Sequence, residues 1–469
     1  LDTANFISIM AVALVVIPSA LTMLLQSAYY FKGRRFIQKN VKWSIDGEIS
    51  IVIPVRKEPL ELLEACISRI HRWSIIDKVE VIIVSDDDEA FLENLRVIVD
   101  KWRANGLKVQ YAWRSEARGY RTGALNVGLY LSRGKYVYIM DVDSIVNEEF
   151  FHKSIKILSE EGAWCVVGRW YTINEDSRLS QAISYSMNYI VDSIYRGRSS
   201  LNLLIMPTGT GTLFKREVLT DVLRGWDEER IQDDMDIGVR IHCMGGSVEY
   251  IDEESIGVLA PSRFKSFRIQ QGRWAYGATD VLLSRFKLIV SCKKSFLKKF
   301  ELALFLLQYL PVALTFIGAI ALAVTSTIYG VDPLKSYWQL GLVWLFISVF
   351  YIVSFIDSNT HRGKDALNSI INLGRISAVT TAVSPEVFLG ILKALLRVKM
   401  GYRRTPKGVF EVKGERLRIP LELLFLIVFI SLGILLVARN ALFTGGLLLL
   451  YSTGYLYTAI RWPKDLFID

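Results

Sequence analysis

The run from Phe6 to Tyr30 carries no charged side chain and is long enough to cross a hydrocarbon core of roughly 30 Å as one helix. Similar runs span Leu302 to Ile328, Trp338 to Ile356, Leu421 to Ala438 and Ala441 to Ile460. The apolar share of 51% is therefore crowded toward the two ends, and the middle reads as a water-soluble domain. With 469 residues the chain exceeds one ordinary core. A cleaved signal peptide would need a basic segment ahead of a shorter apolar stretch. Here Lys32, Arg34 and Arg35 follow the run instead, which favours a membrane anchor.

Basic residues collect after the first span, at Lys293 to Lys299 and from His361 to Arg418, whereas the Gly330 to Tyr337 and Arg439 to Asn440 loops carry few. The positive-inside rule then predicts a cytoplasmic middle domain in the cell membrane, with five spans, an outside N-terminus and an inside C-terminus. The net charge of +9 sits beside the spans, so anionic lipid headgroups are the expected partner and nucleic acid is not. Cys66, Cys165, Cys243 and Cys292 are scattered, predicting neither a disulfide framework nor a zinc site. From Asp365 to Lys399, apolar residues mix with Arg375, Lys393 and Arg397, and Pro385 interrupts them. Two amphipathic helices lying on the membrane surface are expected there.

In the middle domain, Ile49 to Pro54, Val79 to Val84, Leu107 to Tyr111 and Tyr136 to Met140 are short β-branched or aromatic runs that end in polar loops. Helical stretches at Leu60 to Trp73, Ala90 to Asn105 and Gly123 to Ser132 separate them. This alternation predicts an α/β domain with a mostly parallel sheet and helices on both faces. Ligands bind such sheets beyond the carboxyl ends of the strands. The polar residues there are Arg56, Lys57 and Glu58, then Asp86 to Asp88, then Arg114 to Arg121, then Asp141 and Asp143.

Asp141 and Asp143 are two apart, so extended geometry would point both to one side, where Mg²⁺ or Mn²⁺ could bridge them to a diphosphate. A lone Asp-x-Asp is more often a solvated turn or a helix cap. Asp86 and Asp88 suit a nucleotide base or ribose, with Asp86 preferred, although the same acids would cap the helix that follows. Asp233, Asp234 and Asp236 crowd together, and like charges in a partly buried site raise at least one pKa. Asp234 is the candidate general base; the competing reading is an acidic helix start. Gln270, Arg273 and Trp274 are spaced as neighbours on one helix face. Arg273 suits a diphosphate and Trp274 a sugar ring, or Trp274 is an interfacial anchor.

In order, Ile53-Pro-Val-Arg-Lys-Glu58, Ser85-Asp-Asp-Asp88, Arg118-Gly-Tyr-Arg-Thr-Gly-Ala-Leu-Asn126, Asp141-Val-Asp143, Gly209-Thr-Gly-Thr-Leu-Phe-Lys-Arg216, Gln232-Asp-Asp234, Gln270-Gln-Gly-Arg-Trp274 and Tyr402-Arg-Arg-Thr-Pro-Lys407 resemble the motif series of membrane-embedded family 2 inverting glycosyltransferases, the cellulose synthase and hyaluronan synthase group. Arg121, Lys57 and Asp233 stand where that family usually has Lys, Asn and Glu. These changes keep charge or polarity and bear on sugar preference rather than reaction type. Arg404 stands at a Val position of the gating loop.

The resemblance implies a GT-A catalytic domain on an α-helical transmembrane platform, with a UDP-sugar donor and Mg²⁺ or Mn²⁺. It implies Asp141 and Asp143 at the metal, and Glu58, Asp86, Asp88, Arg121, Asp141 and Arg273 at the nucleotide. Asp234, with Asp233, is implied at the catalytic step, Gly209, Thr210, Gln270 and Trp274 at the acceptor, and Thr405 and Lys407 at the gate. The implied units are a transmembrane helix at 1–31, the GT-A domain at 45–260 and interfacial helices at 261–300. Two spans at 301–357, interfacial helices and the gating-like loop at 358–418, and two spans at 419–461 complete the series. The implied product is a growing, extruded polysaccharide. The alternative is a single sugar on a lipid acceptor, and an inactive scaffold or sugar-nucleotide sensor is the reading from another class.

Overall fold

A computed structural model describes residues 3–36, 46–401 and 417–468. Its sheet contains β1 (Ile49–Val55), β2 (Val79–Ser85), β3 (Lys108–Trp113), β4 (Tyr136–Ile139), β5 (Ile145–Val146), β6 (Cys165–Thr172), β7 (Thr212–Lys215) and β8 (Val248–Val258). The strand order is β3-β2-β1-β4-β7-β6-β8-β5. β1 to β4 form the parallel half. β7 then runs antiparallel between β4 and β6, β6 pairs parallel with β8, and β5 closes the edge antiparallel to β8.

The period of two along β1 explains the layers. Ile49, Ile51 and Ile53 enter one core with Leu63, Ile67 and Val99, while Val52 enters the opposite core with Leu125, Val137 and Ile241. Both faces are covered, as the near-continuous apolar strands required. Because β7 is antiparallel, the Gly209–Gly211 segment that precedes it lies beside the carboxyl end of β4, with Ile139 opposite Thr212. That reversal brings the Gly209–Gly211 segment next to Asp141.

Among the described residues, four helices are long and apolar enough to cross a membrane: Thr3–Gly33, Leu310–Tyr329, Trp338–His361 and Leu421–Ala438. The expected run from Leu302 to Ile328 is broken. Helix Phe296–Leu306 ends before a short turn, and Pro311, tolerated in a first helical turn, starts the apolar helix afresh. Helix Leu442–Arg461 occupies the last expected span, but Thr, Ser, Gly and Tyr dilute its apolar content. It packs closely on Leu421–Ala438, where a Cβ at Gly445 would lie 2.8 Å from the Gly433 carbonyl oxygen. The pair expected as surface helices is Ala366–Ala382 and Ser384–Leu395, bent by 50° at the junction before Pro385. Together they are apolar enough to form a broken span or a re-entrant loop, which the scattered basic residues had obscured.

Polar contacts seat the α/β domain on these helices. Ser354 Oγ lies 3.1 Å from Ser27 Oγ and 2.9 Å from Tyr189 Oη, and Asn359 donates to the Tyr185 carbonyl at 3.2 Å. Below them, buried Arg169 of β6 donates to Asp192 at 2.7 Å and Asp252 at 2.9 Å, and Arg362, just past the membrane helix, donates to Asp192 at 2.7 Å. A second seat lies between helices Phe264–Ser291 and Ser384–Leu395, where a Cβ on Gly390 would fall 2.5 Å from the Gly272 carbonyl oxygen. Gly390→Ala should force these helices apart and destabilise the protein by about 1–3 kcal/mol. The thermal midpoint in detergent micelles should then fall by several degrees, whereas Gly374→Ala, with open space around its Cβ position, should leave it unchanged.

Candidate active site

Three loops converge at the carboxyl edge of the parallel strands. After β1, Glu58 is half-buried and the Lys57 backbone N–H donates to Asp87 Oδ1 at 2.6 Å. After β2, the three acids divide their work. Asp88 accepts from the Phe91 N–H at 3.0 Å and caps helix Glu89–Ala104, the alternative its position allowed. Asp86 is 4% exposed and is gripped by Arg114 Nε and Nη2, each at 2.6 Å. Arg114 also donates to the carbonyls of Arg118 and Tyr120, both at 2.8 Å, so it ties β2 to the turn that opens helix Tyr120–Leu131. The sequence reading did not single out Arg114. A Cβ at Gly123 would lie 2.2 Å from Arg114 Nη1, so the glycine of that motif makes room for this guanidinium.

The extended geometry expected for Asp141 and Asp143 is not what forms. β4 ends at Ile139, and the Ser144 N–H donates to the Asp141 carbonyl at 3.0 Å, closing a β-turn that carries both acids. The Asp141 N–H donates to Thr210 Oγ1 at 3.1 Å, and the Thr210 carbonyl accepts from Trp170 Nε1 at 3.0 Å. The Gly209–Gly211 loop and the Asp-x-Asp turn are therefore one hydrogen-bonded unit. Among the described residues no group of three or more His, Cys, Asp or Glu is arranged to hold a metal ion. Two carboxylates are a small hard-oxygen donor set, which fits an ion whose remaining ligands are phosphate and water oxygens.

Asp233 and Asp234 open helix Asp233–Cys243, where the helix dipole favours negative charge. Gln232 Nε2 donates to Asp234 Oδ1 at 2.9 Å and the Met235 N–H donates to the same oxygen at 2.8 Å. Arg121, on helix Tyr120–Leu131, draws the pieces together. Its Nη2 donates to Asp141 Oδ1 at 2.8 Å and to the Gly209 carbonyl at 2.6 Å, while Nη1 donates to Asp233 Oδ2. A Cβ added at Gly209 would sit 3.8 Å from both the guanidinium and Asp234 Oδ2, so this glycine lies between them. Asp236 turns away to Arg285, which donates to it at 2.6 and 3.2 Å.

Burial raises the Asp233 carboxyl above its ordinary pKa, aided by Asp141 and opposed by Arg121 and Arg273. Burial, and next the charge of Asp233, push Asp234 up to about 7, against the hydrogen bonds from Met235 and Gln232 and the charge of Arg121. Helix Phe264–Ser291 brings its motif to this end of the site. A Cβ at Gly277 would lie 2.7 Å from Gln232 Cβ, so the helix passes against the residue that holds Asp234. Gln270 is buried, Arg273 and Trp274 are half-buried, and the charge of Arg273 reaches Asp233. Thr405 and Lys407, the gating pair, lie outside the described residues.

Residues 50–223 match the model of the family described as glycosyl transferase family 2. The chain is 31% identical over 445 residues to a probable glycosyltransferase of Sulfolobus acidocaldarius, covering 93% of this chain and 94% of that one. It is 28% identical over 230 residues to probable glucomannan 4-beta-mannosyltransferase 6 of Oryza sativa subsp. japonica, spanning 48% of this chain but only 40% of the plant protein. Among solved structures, mannosyltransferase PcManGT from Pyrobaculum calidifontis in complex with GDP-Man and Mn²⁺ shares the fold, with a TM-score of 0.57 at 17% identity, covering 83% of this chain and 100% of that one.

The raised Asp234 pKa has a thermodynamic consequence. Its folded value of about 7 lies above the ordinary 3.8, so the folded protein binds this proton more tightly than the unfolded chain. The cost of ionising Asp234 is absent below about pH 4, grows between the two values and is complete above about 7. Asp234→Asn, which keeps the accepting oxygen, should therefore raise the thermal midpoint at pH 8. The gain should shrink steadily as melts are repeated toward pH 4.

Proposed function

The chain belongs to glycosyltransferase family 2, and on that premise we propose that it is a membrane-seated, metal-assisted enzyme that inverts the anomeric centre in a single displacement. The donor is a nucleoside-diphosphate sugar and the acceptor a growing polysaccharide, extended processively on the cytoplasmic side of the cell membrane. The observation that carries the proposal is Asp234. It is a buried carboxylate titrating near neutrality, held by Gln232 and Met235, and facing a glycine loop tied to the Asp-x-Asp turn. A carboxylate so poised is matched to accepting a hydroxyl proton.

In this reading Asp234 takes the proton of the acceptor hydroxyl as that oxygen bonds to the anomeric carbon. The bond from that carbon to the diphosphate oxygen breaks with its electron pair leaving on the diphosphate. Asp141 and Asp143 would hold Mg²⁺ or Mn²⁺, which offsets the charge of the departing diphosphate. Arg273 steadies the same charge, Trp274 and Gln270 line the acceptor side, and Asp86 with Glu58 lies toward the nucleotide. Arg121 holds Asp233 directly, and the charge of Asp233 helps to raise Asp234 into the range of a general base.

The resemblance of the motifs favours a UDP-sugar, whereas the names of the plant relatives and of the Pyrobaculum enzyme direct attention to a GDP-linked mannose. A lipid acceptor is the second reading. It is supported by the apolar bent pair 366–395, whose second helix packs on Gly272 inside the Gln270–Trp274 motif.

Membranes containing the protein, incubated with Mg²⁺ or Mn²⁺ and labelled UDP- and GDP-sugars, should yield a long polymer whose label names the sugar. A short product that extracts into organic solvent would move the assignment to a lipid acceptor. Nucleotide binding with no release of nucleoside diphosphate from any donor would indicate the sensor or scaffold. Asp234→Asn should cut transfer by about 10²–10⁴-fold while nucleotide affinity is retained. The wild-type rate should fall as pH drops below about 7, and a flat profile from pH 5 to 8 would remove Asp234 from the role.

A further inference from the structure

Arg121 joins three oxygens from three separate stretches of chain: Asp141 Oδ1 at 2.8 Å, the Gly209 carbonyl at 2.6 Å, and Asp233 Oδ2. Its side chain is 13% exposed, against 12% for Asp233 and 33% for Asp141. One arm of the fork is thus sunk in the protein and the other opens toward solvent. A guanidinium keeps its charge at any pH the protein meets, so this cation can move but not be neutralised.

The oxygen that Arg121 holds on Asp141 belongs to the carboxylate proposed to hold the divalent ion. A Mg²⁺-like ion sits roughly 2.0–2.1 Å from such an oxygen, which would place two cations on one carboxylate. They compete for it. Parting Arg121 from Asp233 would strand a buried charge, which is costly, while an ion pair on the open side contributes little. The Asp141 arm is therefore the one that yields.

We propose that Arg121 is a placeholder cation: with no donor bound it supplies at Asp141 the positive charge that the ion of a metal-bound diphosphate would otherwise bring. On donor binding it turns from Asp141 to the diphosphate while its other arm stays on Asp233. The inference deepens the reading of Asp141 as a metal-holding carboxylate and rests on it. Arg121 is on this view a positioning residue that sets the order of loading, with free metal binding weakly and metal with diphosphate binding well.

The test uses the full chain in detergent micelles and follows Mn²⁺ binding by electron paramagnetic resonance, without nucleotide and then with UDP or GDP. Arg121→Gln should bind Mn²⁺ about tenfold more tightly than wild type in the absence of nucleotide, and bind the nucleoside diphosphate about tenfold more weakly in its presence. Arg121→Lys, which keeps the charge but not the fork, should fall between and provides the reading if the glutamine variant does not fold. Suppose wild type binds Mn²⁺ with the nucleotide, but removing the guanidinium leaves nucleotide-free Mn²⁺ affinity unchanged or weaker. The placeholder is then overturned while the metal reading stands. If wild type binds no Mn²⁺ with either nucleotide, or Asp141→Asn does not weaken that binding, the metal reading falls and takes the placeholder with it.

Discussion

The grip of Arg121 on Asp141, Asp233 and the Gly209 carbonyl is the interaction around which the acidic edge of the sheet is organised. Asp141, Asp233 and Asp234 gather in one partly buried space, and without a cation between them their mutual repulsion and desolvation would hold the three segments apart. The sheet makes the meeting possible. Helix Tyr120–Leu131 connects β3 to β4, β4 delivers Asp141, and the antiparallel β7 returns Gly209 to the same edge. Arg114 acts similarly one loop away, where it holds Asp86 against the turn before Tyr120. Two arginines thus fix the start of the segment that resembles the family's glycine motif.

The same dependence on paired charge extends to the membrane helices. Asp192, 2% exposed, accepts from Arg169 of the sheet and from Arg362 past the helix Trp338–His361, and it also accepts from Ser358 at 2.8 Å. Removing an arginine would weaken the pairing of a buried carboxylate, so the network specifies one seating of the domain more than it adds net stability. The small residues Gly272 and Gly390 supply the second seat by backbone contact. The helix bearing Arg273 and Trp274 is therefore held from the membrane side while it presses on Gln232 from the other. The geometry of the acids and the seating of the domain are set by a shared set of contacts.

Much of this was legible in the chain. The short β-branched runs and their alternation with helical stretches placed the parallel half of the sheet and its carboxyl edge, because local propensity and tertiary packing agree there. What was not legible depends on distant partners. Arg114 looked like one cation among several between Trp113 and Arg121, and only the fold shows that Asp86 is its counterpart. Asp88 had two readings that spacing could not separate, and the Phe91 N–H identifies it as a cap. The Asp141–Asp143 pair was assigned extended geometry because the apolar run before it is a strand. A turn closes instead once Ser144 reaches back, and no residue type in the motif announces that. The apolar run from Leu302 hid a break that Pro311 marks in retrospect. The pair around Pro385 mixes basic residues with enough apolar content for a surface pair or a broken span, and its 50° bend is visible only in the fold.

The position of Asp234 shows how opposing effects of similar size leave a carboxylate near neutrality. A helix N-terminus and hydrogen bonds from Met235 and Gln232 favour the charged form. Burial and the adjacent Asp233 oppose it and prevail. Arg121 lowers both carboxyls, holding Asp233 directly and reaching Asp234 through its charge across Gly209. Exchanging Gln232 for a residue without a donor would remove a hydrogen bond to the charged form and raise Asp234 further. The acidic pair at the start of this helix is thus tuned by its neighbours, and the sequence Gln232-Asp-Asp234 encodes both the carboxylate and one of the groups that keeps its pKa from rising higher.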